Sequence, residues 1–273
     1  PRALKALAML KGVSAPARPG QMPLTEFNAL KEQYQKGNFI DLANQAQGLT
    51  NAFPKDKALL NLLGSVFNQL NQAQAAITLL SGALRLDRFF IDAQFNLGIA
   101  HQKNQDLANA IACFQNVIEL APNNGAAHFK LANAFRANSE FQKAILHYKK
   151  TLTLESDHAP AHCNLGLSLQ AIGDIAQAIR QYQAALKIDP KFVPAQGNLG
   201  NAMMAQGAFE NAIKAFLKTL KLQPENYITS LNLGRAYKEN GDFQAAFNAF
   251  SKVISMQPEF SEAHNDLGLT LYG

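Results

Sequence analysis

Leu63, Leu97, Leu131, Leu165, Leu199, Leu233 and Leu267 recur every 34 residues, and each is followed by a small residue: Gly64, Gly98, Ala132, Gly166, Gly200, Gly234 or Gly268. Twelve residues beyond the first six of these stands Ala76, Ala110, Ala144, Ala178, Ala212 or Ala246, and four further on Leu80, Phe114, Tyr148, Tyr182, Phe216 or Phe250. A spacing of four puts two side chains one turn apart on one helix face, so each alanine and its large partner mark an apolar stripe. The Leu-Gly pair marks a second. Pro122, Pro190, Pro224 and Pro258 close their repeats at one phase, with Arg88 and Ser156 in the corresponding places elsewhere. The pattern predicts two helices per repeat, turning at Gly173-Asp174, Gly207 and Gly241-Asp242, where glycine supplies the backbone freedom a tight helix ending needs. No unit of this size buries its apolar stripes alone, so the helix pairs must stack, neighbour on neighbour, into an all-α solenoid.

Composition narrows the class further. Of the 273 residues 48% are apolar, enough to build a core and to exclude intrinsic disorder. Charged residues make up only 16%, yet no apolar run approaches the ~20 residues of a membrane-spanning helix. Two cysteines are too few for a disulfide framework or a four-cysteine zinc site and suit a reducing compartment, so a cytoplasmic location is expected. The formal charge of +5 suggests a polyanionic partner until its placement is considered. Arg2, Lys5, Lys11 and Arg18 all precede the first acid, Glu26, and subtracting these four from +5 leaves +1. A nearly neutral body offers no broad basic field, so neither nucleic acid nor a membrane is expected as a partner.

The stretch APAHCNLGLSLQAIGDIAQAIRQYQAALKIDP, Ala159 to Pro190, resembles the tetratricopeptide repeat. The resemblance covers six full repeats over 57–260 and the first helix of another over 261–273. Residues 23–56 keep the register through Gly37, Phe39 and Pro54 as a degenerate first repeat, with Leu42 and Ala46 where later repeats carry alanine and a large residue. It implies a right-handed superhelix of antiparallel helix pairs that acts as a protein-protein interaction module. Residues 1–22 are basic, place Leu4, Leu7 and Leu10 on one helical face, run on into the linker-like GVSAPARPGQMP, and are expected to lie outside the superhelix. The chain reads as a fragment: Gly273 follows the first helix of a repeat, which leaves Leu267 and Leu271 open to further sequence or to self-association.

One residue before each repeated leucine the chain reads Leu62, Asn96, Lys130, Asn164, Asn198, Asn232 and Asp266. This phase turns away from the Leu-Gly face and lines the groove. Asparagine is a mediocre residue inside a helix, because its amide competes for nearby backbone groups, so its recurrence needs a reason. A carboxamide offers an acceptor and two donors, which grip a peptide group whatever side chain it carries. Neighbouring helices pack about 8–10 Å apart and an extended strand advances roughly 3.3 Å per residue, so successive asparagines would meet about every third residue of a bound segment. The series resembles the asparagine ladder in the superhelical repeats of O-GlcNAc transferase, which implies that role for Asn96, Asn164, Asn198 and Asn232. Lys130 interrupts the ladder, and Leu62 and Asp266 end it.

Two neighbouring phases, Phe95, Phe129, Cys163, Gly197 and Leu231, then Ile99, Asn133, Leu167, Asn201 and Arg235, mix apolar and amide groups and suit a largely neutral ligand. The candidate peptide-binding residues are therefore Asn96, Lys130, Asn133, Asn164, Asn198, Asn201, Asn232 and Arg235. In the alternative reading the asparagines bond only between neighbouring helices, and the chain is an assembly scaffold or oligomerisation module. Repeats that clamp a C-terminal carboxylate resemble this chain at Asn133 and Asn164, but Phe129, Pro194 and Asn198 stand where their cations belong, leaving Lys130 and Arg136 as the cations nearby.

Catalytic and cofactor chemistry finds no support. His128, His162 and His264 share one repeat phase without a chelating partner, and Cys113 and Cys163 lie at unrelated phases, so neither a metal site nor an activated nucleophile can be assembled. Gly37, Gly173, Gly207 and Gly241 are single turn glycines rather than a phosphate loop. Phe114, Tyr148, Tyr182, Phe216 and Phe250 are expected in the core and not as a platform for bases. No catalytic residue and no cofactor is assigned to this stretch, although such repeats resemble those that precede the catalytic part of bacterial transferases.

Overall fold

The computed structural model describes residues 20–271, so the expected helix around Leu4, Leu7 and Leu10 lies outside the described residues. All regular structure among them is helical, and the chain divides into two compact units that meet at Asn138 and Ser139. The first holds α1 (Leu24–Gln35), α2 (Phe39–Ala52), α3 (Lys57–Gln69), α4 (Ala73–Leu86), α5 (Ile91–Lys103), α6 (Leu107–Leu120) and α7 (Gly125–Ala137). The second holds α8 (Phe141–Leu154), α9 (Ala159–Ala171), α10 (Ile175–Ile188), α11 (Val193–Ala205), α12 (Phe209–Leu222), α13 (Tyr227–Glu239), α14 (Phe243–Met256) and α15 (Ser261–Leu271). Within each unit every helix packs on the one before and the one after it, the solenoid pattern that the 34-residue period predicts. Among the described residues no helix is long and apolar enough to cross a membrane.

The glycine of the Leu-Gly pair and the large residue of the second helix fit each other directly. A Cβ built on Gly98, Gly166, Gly200 or Gly234 would lie 2.4–2.6 Å from a ring carbon of Phe114, Tyr182, Phe216 or Phe250, and one on Gly64 would lie 2.5 Å from Leu80. The ring, or the Leu80 side chain, thus occupies the volume a side chain would need on the first helix of its own pair. These large residues and Tyr148 are fully buried, so they are core, each contributing about 1.5–3 kcal/mol of burial. Tyr182 keeps its hydroxyl satisfied by donating to Gln170 Oε1 at 3.0 Å.

Turns repeat as strictly as the core. Gly37, Asn71, Gln105, Ser139, Gly173, Gly207 and Gly241 all have positive φ, between 57° and 85°. One left-handed residue therefore ends the first helix of each pair. Four repeats place glycine there, and three force an ordinary side chain into a conformation that glycine adopts freely. Helix starts are capped where the sequence permits: Asp56, Asp106, Asn124, His158, Asp174, Asn226 and Asp242 each accept a first-turn backbone N–H. Asp56 also accepts from Met22 N at 2.9 Å, which ties the entry segment to the first unit.

Candidate functional site

The ladder phase falls on the first helix of each pair. Asn96, Lys130, Asn164, Asn198 and Asn232 are half-buried there, and Asn133, Asn201 and Arg235, three residues further along their helices, are also half-buried. Leu62 and Asp266, the two ends of the series, are buried. Leu62 joins the core beneath the first two helix pairs, with Leu30, Leu42 and Leu63, which explains why an amide is absent there.

In the first unit a cavity of about 500 Å³ opens between α1, α3 and α5, lined by Phe27, Tyr34, Asn61, Ser65, Phe90 and Asn96 among others. The Asn96 carboxamide donates to Asn61 Oδ1 and to Ser65 Oγ, both at 2.9 Å, and the Asn96 carbonyl accepts from Asn68 Nδ2 at 2.9 Å. The amide of Asn96 is thus held by α3 of the preceding pair. On α7, burial, and secondarily the nearby Lys103 ammonium, lowers the pKa of Lys130. Lys103 itself is engaged, donating to the Asn68 carbonyl and, at 2.8 Å, to Asn71 Oδ1.

In the second unit Asn198, Asn201 and Asn232 converge on one cavity of about 400 Å³ between α11 and α13. Asn232 Nδ2 donates to Asn201 Oδ1 at 3.0 Å, and Asn198 Nδ2 makes a long contact of 3.7 Å with Cys163 Sγ. The Asn201–Asn232 bond uses one donor and one acceptor, so the pair still carries an amide N–H on Asn201 and a carbonyl on Asn232. Those are the two complements of a peptide group. Val193, Pro194, Ile228 and the buried Phe216 of α12 give the lining its carbon, and Thr219, Gln223, Asn226 and Thr229 add uncharged polar groups. None of these residues is ionisable. Asn164 lies on α9, where its carbonyl accepts from Ser168 Oγ at 3.0 Å, and it is not among the residues of this cavity.

Arg235 is occupied. Its Nε donates to Asp266 Oδ2 at 2.6 Å and an Nη donates to Glu262 Oε2 at 3.0 Å, both on α15. Burial lowers its pKa, but the two carboxylates outweigh burial and the net shift is upward. The guanidinium is matched within the fold and serves α13 and α15 before any ligand.

Several cavity residues were not singled out by the ladder pattern. Asn61 and Ser65 lie at the phases of Phe95 and Ile99 one repeat earlier, a signal the grid contains. Thr219, Gln223 and Asn226 come from a second helix and the following loop, which no first-helix phase can reveal. The phase of Phe95 is also more deeply set than its periodicity suggests: Cys163 and Leu231 are each 2% exposed, and the Phe95 ring packs edge-on against Phe114 at 5.8 Å.

The three phase-matched histidines share a structural task. His128, His162 and His264 each donate from Nε2 to the carbonyl six residues earlier, of Pro122 (3.0 Å), Ser156 (3.3 Å) and Pro258 (2.7 Å), and so fasten the loop that closes the previous repeat. Among the described residues no three His, Cys, Asp or Glu side chains gather as metal ligands. Both cysteines are buried, and burial, with Asp106 adding to it, pushes the Cys113 thiol up to about 11, which keeps it protonated and a poor nucleophile at neutral pH.

The family model for the tetratricopeptide repeat matches residues 95–159, 163–227 and 231–273, more than half of the chain. No curated protein sequence matches it. Among solved structures, the C-terminal part of a TPR repeat-containing protein from Cytophaga hutchinsonii superposes with a TM-score of 0.70 at 13% identity, over 88% of this chain and 99% of that one. YrrB, a TPR protein described as having an unusual peptide-binding site, gives a TM-score of 0.60 at 18% identity, over 68% and 96%. The MamA protein gives 0.59 at 24% identity, over 63% and 94%. With a 34-residue helix-pair grid, a glycine seated under four of its five core rings and a family model matched over most of its length, the chain belongs to the tetratricopeptide repeat family.

Proposed function

We propose that this protein is a peptide-binding interaction module whose groove, in the second unit, holds an extended segment by its main chain. The observation that supports this reading is the cavity shared by Asn198, Asn201 and Asn232, where an amide N–H and an amide carbonyl stand side by side and no ionisable group competes for the ligand. Such a site recognises backbone and tolerates many side chains. The peptide-binding description of YrrB, a fold relative, agrees with that class of ligand. The resemblance of the ladder to that of O-GlcNAc transferase supports the same role for Asn96 and Asn164, where Asn96 stands in a second, aromatic-lined cavity. Lys130 and Asn133 on α7 belong to the proposal as contacts of the first unit's own groove face, and Arg235 on α13 as a contact of the second's, only through the part of its guanidinium that α15 leaves free.

A second reading has its own support: Asn96 and Asn232 both spend donors on the preceding first helix, so the asparagines staple the solenoid and the chain is a scaffold. One experiment separates the two. A phage-displayed library of random 12-residue peptides is selected on the wild-type chain, and selected peptides are then measured against a chain carrying Asn198→Ala with Asn232→Ala. Groove binding predicts at least a tenfold loss of affinity with the helical circular dichroism unchanged. Unchanged affinity together with a lowered melting temperature would establish the staple instead.

A further inference from the structure

Gly197 sits inside α11, where glycine weakens a helix and no packing demands it. A Cβ built on it would meet nothing within 4 Å, whereas one on Gly200, three residues along the same helix, would strike Phe216 at 2.4 Å. Gly48 is also unopposed, but it faces solvent, whereas Gly197 lines the cavity beside the asparagines. At the same phase in other repeats the chain places Phe95, Phe129, Cys163 and Leu231. Cys163 and Leu231 fill their positions almost completely, and Phe95 lays its ring against Phe114, the counterpart of Phe216. The solenoid thus has a side-chain slot at this phase, and in the repeat of α11 the chain leaves the slot empty.

We propose that the Gly197 gap is a pocket for one uncharged, apolar side chain of the segment that Asn198, Asn201 and Asn232 hold. The inference rests on the peptide-groove reading and adds a specificity to it: backbone recognition on the amides, side-chain selection at Gly197. Val193, Pro194, Phe216 and Ile228 line the same cavity as Gly197, so an entering methyl or ring has carbon to meet. A cavity of about 400 Å³ has room for on the order of a dozen waters at ~30 Å³ each, enough for a short stretch of main chain together with one large side chain. With no ionisable residue in the lining, a carboxylate or ammonium entering the slot would lose its hydration without a partner of opposite charge, which selects against charged side chains.

The test uses the same 12-residue phage-displayed library, selected on the full chain in wild-type form and as Gly197→Phe, the residue that two other repeats carry at this phase. Peptides enriched on the wild type are expected to share one apolar residue. They should bind Gly197→Phe at least tenfold more weakly, and changing that residue to Asp in the peptide should cost the wild type a similar factor. Thermal melting checks that the variant folds, and Gly197→Leu, matching Leu231, takes its place if Gly197→Phe does not. If peptides bind wild type and the folded variant within twofold, or the shared residue is charged, the pocket is overturned while the groove stands. If the wild type enriches no peptide, groove and pocket fall together.

Discussion

At the residue scale the two glycines of α11 make a matched pair. They are three positions apart on one helix, and only the space above them differs. Gly200→Ala should lower stability by about 1–3 kcal/mol, because the new methyl must displace the Phe216 ring from a close-packed core. Gly197→Ala should raise it by about 0.5–1 kcal/mol, the ordinary gain from replacing a helix-interior glycine where nothing is displaced. Denaturant melts of the two variants check both signs, and a loss of stability at Gly197 would contradict the empty slot. Lys130 supplies a pH test. Its lowered pKa means that the folded chain holds the proton less tightly than the unfolded chain, so charged Lys130 costs stability at neutral pH. That cost disappears as the pH rises from the folded value to the ordinary lysine value of about 10.4. Lys130→Met should therefore raise the melting temperature at pH 7, and the advantage should shrink as the pH approaches the pKa of free lysine. A gap that widens with pH would show that the sign is wrong.

At the element scale the repeated turn carries most of the irregularity. Gln105 occupies the left-handed position that Gly173, Gly207 and Gly241 fill elsewhere, with φ of 60° and an exposed side chain. Gln105→Gly should stabilise the first unit by about 1 kcal/mol, since an L side chain costs about that much in this conformation. Thermal melting measures it, and no gain would mean that the Gln105 side chain earns its place through contacts. Asn71, at the same phase, is a different case: it accepts from Lys103, so its replacement by glycine would also remove a tie between α5 and the end of α3. The helices themselves were legible from the spacing of Leu, Gly, Ala and aromatic, because a repeat of fixed length exposes its own period. The left-handed turns at Asn71, Gln105 and Ser139 were not: Gln carries no turn signal, and a lone Asn or Ser amid the many along the chain does not single out its position. Only their distance from the turn glycines on the 34-residue grid would have located them.

At the scale of the whole chain, charge and groove point the same way. Four of the cations behind the formal charge of +5 lie before Glu26, and the cavity of the second unit has no ionisable lining. Binding there should depend on hydrogen bonds and apolar burial, not on ion release. The affinity of a library-selected, uncharged peptide should change less than about twofold between roughly 50 and 500 mM salt, whereas a groove working through surface charge would weaken steeply over that range. Fluorescence anisotropy at the two salt concentrations decides it.

The one-dimensional pattern alone determined that the chain is a stack of helix pairs, which residues form its core, and which phase carries the asparagines. Those properties follow from helical periodicity, and a strict repeat writes it out several times over. Only the tertiary structure decided what each asparagine has left to offer. Asn96 and Asn232 look identical on the grid, yet one is gripped by Asn61 and Ser65 while the other pairs with Asn201 and shares its cavity. It likewise decided that Arg235 is neutralised by α15, and that Gly197 and Gly200 stand over empty space and over a ring respectively. Periodicity sets the direction in which a side chain leaves its helix, but the neighbour it meets lies about one repeat away, and its identity is fixed only when the helices pack.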